Sequence, residues 1–177
     1  MYPNFHTELF GTANSTGDIF YGGSVFSKLE KLSQLLGTEL TSSCKTNPKY
    51  KGSGGDAGLD LVSFLQIDAP NSSASRIPAC FGQCACSHSQ WKEKQFDIMA
   101  QKWQERFVSL PAYHEMMFVP FSLRSPSGDW DKEYDDEICT IVVDRFRIIN
   151  AFVNNTKECH SFLSTMDIYS DLYGSFM

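Results

Sequence analysis

Two acids stand in GGDAGLDLV, residues 54–62, at the mouth of an apolar run, and a glutamine follows in CFGQCAC, residues 80–86. A carboxylate carried into a protein interior needs a cation, hydrogen-bond donors or a proton. Asp60 heads LDLVSF and Gln83 lies in the middle of its own apolar run. If the two runs pair as neighbouring strands, both side chains can project from one face into one cleft. A carboxylate and an amide oxygen are hard ligands suited to Mg2+ or Mn2+, with water and phosphate oxygens completing the shell. Such an ion would neutralise Asp60 and activate an attacking water. Two structural readings stand beside this one. Asp60 could accept backbone N–H bonds in a tight GDAGLD turn, and Gln83 could be a buried amide tying adjacent strands together.

Other groups invite other chemistry. Cys80, Cys84, Cys86 and His88 crowd nine residues, but alternate side chains on a strand stand about 6.6–7 Å apart. Thiolates at about 2.3 Å from one zinc must lie within about 4 Å of each other. A straight strand therefore cannot chelate with them, and Cys84 and Cys86 are expected to face away from Gln83 as small apolar residues, as are Cys44, Cys139 and Cys159. Cys159 beside His160 gains no catalytic geometry from adjacency, and His88 and His114 have no visible partner. Lys45, Lys49 and Lys51 form a local basic patch before the acidic strand, where phosphate could approach. In VVDRFRI, residues 142–148, Asp144 could cap a helix and leave Arg145 or Arg147 to hold a phosphate; the alternative is an Asp–Arg pair that fixes the strand-to-helix join. The acidic run DWDKEYDDE reads as a solvated loop, without the glycine turn and twelve-residue pattern of a calcium site.

These residues need elements to hold them. Residues 1–23 suit an irregular arm packed by its aromatics. From Ser24 to Leu36, Phe26, Leu29, Leu32, Leu35 and Leu36 recur at helical spacing, with Gly37 where a helix end favours a left-handed residue. TELTSSC suits a short strand and NPKYKGSGGDAG a loop. Strands are expected over Leu59–Ile67, residues 79–86, Met116–Leu123 and Ile138–Val143, with DAPNSSASRIP as a turn. An imperfect stripe of Trp91, Ile98, Met99, Trp103 and Phe107 predicts a helix over residues 87–107 that Ser89 could cap. A last helix begins near Asp144. That order predicts a mixed sheet flanked by helices in an α/β domain.

The chain has 177 residues, 42% hydrophobic and 14% aromatic, enough for one domain with a sizeable core. It lacks an apolar run of eighteen residues and a start with signal-peptide order, so an intracellular, cytoplasmic protein with free thiols and no membrane partner is expected. A net charge of −6 argues against coating nucleic acid broadly, so any such contact must be local, metal-assisted or helped by a partner.

GDAGLDLV followed by FGQCAC and a Trp-containing helix resembles the PD-(D/E)xK nuclease superfamily in its Mrr-type restriction-endonuclease branch, over roughly residues 24–107. In that branch a D-G-G-x-D strand precedes a strand carrying Q-x-K, after a helix with an acid. The resemblance implies a restriction-endonuclease-like fold spanning 1–177, with residues 24–107 as motif-bearing core and 108–177 as completing strands and helix. It also implies a metal-dependent deoxyribonuclease acting in defence against foreign DNA. Asp60, Gln83 and the first-helix acid Glu30 would hold Mg2+ or Mn2+, with Asp56 shaping the loop behind them. The lysine expected two residues after the glutamine is Ala85. Lys92 and Lys94 could supply that charge from the following helix, Lys94 the favoured one, and Lys49, Lys51, Lys92 and Arg145 are candidate DNA contacts. Cutting both strands favours a homodimer or a larger complex. The alternative is a catalytically silent nuclease fold serving as a binding or assembly subunit.

Overall fold

Ser24 starts the first helix, α1 (Val25–Leu35): its hydroxyl accepts from the Ser27 N–H at 3.2 Å. The helix stops because Gly37 takes a φ of +63°. That turn lets the Gly37 and Thr38 N–H groups bond back to the Gln34 and Ser33 carbonyls at 3.2 and 2.9 Å. Leu29, Leu32 and Leu36 are fully buried, each contributing about 1.5–3 kcal/mol over exposure.

The computed structural model describes residues 5–11, 18–52, 55–65, 78–110 and 113–154. Around α1 it is an α/β protein with one five-stranded mixed sheet. Its strands, β1 (Phe5–Leu9), β2 (Leu61–Leu65), β3 (Ala79–Cys84), β4 (Tyr113–Phe118) and β5 (Ile141–Val143), lie side by side in chain order. The first two pairings are antiparallel and the last two parallel. On one face Val62 and Phe64 of β2 lie opposite Phe81 and Ala79 of β3 and join α1, Phe10 and Trp103 in the larger core cluster. Trp91, Met117, Val119, Leu123 and Val142 form a second cluster.

Several local expectations change. The arm contains β1, because an edge strand gains ladder bonds to β2. TELTSSC is no strand: Thr41 accepts from Cys44 N–H at 3.2 Å and starts the short helix α2 (Ser42–Thr46). Within the expected loop, Asn47 caps α3 (Pro48–Lys51), with proline in the first turn where its missing N–H costs nothing. The long helix over 87–107 is broken into α4 (Trp91–Lys94), a 3₁₀ turn (Gln95–Asp97) and α5 (Ala100–Gln104). The break lets Trp91 enter one core cluster while Ile98, Trp103 and Phe107 enter the other. Gln90, not Ser89, occupies the position before α4. The third and fourth predicted strands are realised at β4 and β5 with shifted bounds, and the acidic stretch holds a short helix, α6 (Lys132–Asp135). Asp144 starts α7 (Arg145–Asn154) as expected, accepting from Arg147 N–H at 3.0 Å. Residues 68–77 of the predicted turn, and Cys159 with His160, lie outside the described residues.

Candidate functional site

Register brings the first two candidate residues together. Leu61 pairs with Gly82, and Asp60 N–H donates to the Gly82 carbonyl at 2.9 Å, so Asp60 lies opposite Gln83. Gln83 in turn pairs with Met117, and Met117 with Val142, giving one row across a single face of the sheet. Cross-strand neighbours in such a row have Cβ atoms about 4.5–5.5 Å apart.

The Asp60 carboxylate reaches past the start of β2 and accepts the Cys84 N–H at 2.8 Å, capping β3 where its ladder partner ends. Its backbone carbonyl accepts from Phe10 and Gly11 at 2.8 and 3.2 Å. A Cβ on Gly11 would stand 2.9 Å from Asp60 Oδ1, so that glycine leaves room for the carboxylate. Burial pushes the Asp60 carboxyl above the ordinary carboxylate range, the Cys84 N–H opposes this, Asp56 and Asp97 push further up, and Lys94 pulls down.

The tight turn between the acids belongs to Asp56. Its Oδ1 accepts from Gly58 N–H at 2.8 Å and its carbonyl from Leu59 N–H at 3.0 Å. Both central residues have positive φ, +58° at Ala57 and +82° at Gly58. For Ala57 that conformation costs about 1–2 kcal/mol. Gly58 is required twice over: a Cβ there would also stand 2.7 Å from the Asp97 Cβ. Backbone strain is therefore concentrated on the wall of a cleft.

That cleft has a volume of about 600 Å³ and is lined by the Asp56–Gly58 turn, Gln83, Lys94 and Asp97, by Ser43 to Tyr50 of α2 and α3, and by Lys102 to Arg106 around the end of α5. Gln83 is 4% exposed, and its Oε1 is buried without a hydrogen-bond partner. Leaving such an acceptor unsatisfied costs about 1–3 kcal/mol. Arg106, 5% exposed, has the opposite deficit: Nη1 is buried without an acceptor, while Nη2 donates to the Ala57 carbonyl at 3.2 Å.

Of the lysines, Lys94 reaches the cleft and donates to the Cys84 carbonyl at 3.2 Å, next to the group that Asp60 caps. Lys92 instead pairs with Glu137 and lies over the Tyr134 ring. Lys49 lines the cleft, whereas Lys51 is exposed and does not. Glu30 is exposed and lies outside the cleft lining, because it sits on the polar side of α1, whose opposite side is held in the core. Arg145 is likewise exposed at the start of α7, away from the cleft. The expected Asp–Arg pair at that join exists, but Asp144 takes Arg124 as its partner, at 2.9 Å.

Sequence reasoning missed Lys28, Asp97 and Arg106. Lys28 is 4% exposed and donates to the carbonyls of Phe10, Gly11 and Gly55 at 3.0, 3.2 and 3.3 Å, tying the arm to the glycine-rich entry. Burial lowers its pKa, with Asp56 opposing. Its signal was its place at Val25 plus three on the stripe that also carries Leu32 and Leu36. Asp97 holds Lys102 in an ion pair, and its carbonyl accepts from Trp103 Nε1 at 2.7 Å.

Among the described residues no three His, Cys, Asp or Glu side chains form a group that could hold a metal ion. Cys86 and Cys139 are exposed, not packed as expected. Burial pushes the Cys84 thiol up to about 11. For a divalent cation the donor set present is the unpartnered oxygen of Gln83, which lines the cleft, with Asp60, which lies behind the lining in the same cross-strand row. One carboxylate with neutral oxygens fits Mg2+, which retains water and commonly takes phosphate oxygens from a substrate. Among the described residues no helix is long and apolar enough to cross a membrane. No protein-family model, no curated protein and no solved structure matches the chain.

Proposed function

We propose that the cleft hydrolyses phosphodiester bonds of DNA with Mg2+ or Mn2+ held by Asp60 and Gln83. The observation that supports this reading is the buried Gln83 oxygen, which lacks a donor and lies in register with a carboxylate that burial and two neighbouring acids make hungry for positive charge. The ion would supply a nucleophilic water and charge stabilisation at the phosphate. Asp60 would hold the cation through its carboxylate, whose orientation is fixed by the Cys84 N–H. Lys94, which lines the cleft and donates to the Cys84 carbonyl, would supply the cationic charge and stabilise the developing phosphoryl charge. Lys49 favours entry of the phosphate at the rim. Glu30, Lys51, Lys92 and Arg145 have no part in this site.

Plasmid nicking in Mg2+ and Mn2+ tests the proposal. Asp60→Asn and Lys94→Ala should each lower the rate by about 10²–10⁴-fold, and Glu30→Ala should leave it unchanged. A parent that neither cuts nor melts higher with either ion would leave a binding or assembly subunit as the surviving reading. Cutting that persists in Asp60→Asn would move the chemistry elsewhere.

A further inference from the structure

Arg106, just past the end of α5 and facing Tyr50 of α3 across the cleft, has no role in the chemistry proposed above, yet it is the more demanding of the two orphaned groups. Arg106 is held flat: its guanidinium carbon lies 3.9 Å from the Trp103 ring centroid and 5.6 Å from that of Tyr50. Its Nη2 is fixed on the Ala57 carbonyl at 3.2 Å, and its backbone carbonyl accepts from Thr41 N–H at 2.9 Å. Nη1 is left buried and unpartnered. A guanidinium cannot relieve this by losing its proton. No carboxylate is paired with it by an ion pair among the described residues, and Asp97, also in the cleft lining, holds Lys102. An acceptor from outside the chain would complete it.

The remaining lining narrows the chemistry of that acceptor. Lys49, Lys94 and Lys102 join Arg106 against three carboxylates, Asp56, Asp97 and Glu105, so the lining keeps a small excess of positive charge. Arginine held between aromatic faces presents nitrogens in one fixed plane, a geometry matched to the oxygens of a phosphate. The shared cleft, about 600 Å³, has room for more than one phosphate group of a strand.

We propose that Arg106 forms a phosphate-binding subsite between the end of α5 and α3, holding a backbone phosphate of the DNA strand next to the one that is cut. The identity of the strand rests on the hydrolase reading; the capture of phosphate by Arg106 does not. It needs no divalent cation, because the charge is supplied by the guanidinium itself.

The test is a titration of the full chain, in EDTA, with inorganic phosphate and with a 5′-phosphorylated oligothymidylate, followed by melting temperature and tryptophan emission. The parent should respond saturably to both, more tightly to the oligonucleotide. Arg106→Lys, which keeps the charge but not the planar fork, should bind at least tenfold more weakly, while Lys132→Ala on the distant α6 binds as the parent does. Equal binding by Arg106→Lys, or no saturable response of the parent into tens of millimolar phosphate, overturns the subsite. If Arg106→Lys does not fold, the parent alone decides: the side-chain NMR resonance of Arg106 must move along the titration, and an unmoved resonance overturns the assignment. A chain that binds phosphate through Arg106 but never cuts DNA would sink the hydrolase reading and leave the subsite standing. One that cuts at an unchanged rate and KM in Arg106→Lys would do the reverse.

Discussion

Replacing Gln83 by methionine separates a cation-seeking amide from a merely structural one. The side chains are nearly the same length, so the variant removes the polar end and keeps the volume. In the parent, Oε1 is buried in the row between Asp60 and Met117 without a donor, at a cost of about 1–3 kcal/mol. In EDTA, Gln83→Met should therefore be the more stable protein. At about 2–4 °C per kcal/mol for a chain of this size, its melting point should rise by several degrees. Saturating Mn2+ should reverse the order. A ligand at a hundred times its Kd adds about 2.7 kcal/mol, and only the parent has both oxygens to bind it. The assay is a pair of thermal scans for each protein, with and without the ion. A variant that melts lower than the parent in EDTA would show that the amide already has a satisfying partner, and the argument for a cation at this position would collapse.

Two further outcomes follow from charges elsewhere in the fold. Arg124→Ala strips the partner from Asp144, which is fully buried and caps α7. The loss should be about 3–5 kcal/mol by chemical denaturation, and removing both residues together should cost less than the sum of the two single losses. In EDTA, Asp60 binds a proton more tightly folded than unfolded, since its carboxyl is held above its ordinary value of 3.8. Its contribution is therefore fully present below about pH 3.8 and is lost as pH rises through the raised folded-state value. Asp60→Asn should flatten that decline in stability measured between about pH 4 and pH 7, and parallel curves for parent and variant would contradict the shift.

Much of the scaffold was legible because it follows from local rules. The spacing of Leu29, Leu32 and Leu36, with a serine before and a glycine after, fixes α1 without reference to anything distant. The pairing of Asp60 with Gln83 was legible for a similar reason: two short apolar runs joined by a turn-rich segment pair most simply as neighbours. What stayed hidden depends on tertiary partners. Whether residues 87–107 form one helix or three pieces is decided by two tryptophans entering different core clusters, which periodicity cannot express. Arg106 reads as an ordinary charge at the end of an amphipathic segment, and only the folded chain lays it between Tyr50 and Trp103. Glu30 shows the converse: a resemblance assigned it to the site, while the helical phase that buries Leu29 and Leu32 turns it to solvent. In the same way, the partner of Asp144 lies twenty residues upstream at Arg124, where adjacency to Arg145 and Arg147 gave no hint of it.

The order of strands in the sheet, β1 to β5 without a permutation, bears on how the protein is made. Each strand leaving the ribosome finds its neighbour already synthesised, so the sheet can extend from one edge to the other at the pace of translation. The widest gap is the first: β1 must wait for β2, more than fifty residues later, before its ladder can form, and closing that long loop is the slow entropic step. Lys28 ties the arm to a helix that lies between the two strands in the chain, donating to the carbonyls of Phe10 and Gly11. A contact of that kind joins the arm to α1 without needing β2, so if it forms early it shortens the loop that the β1–β2 pairing must close.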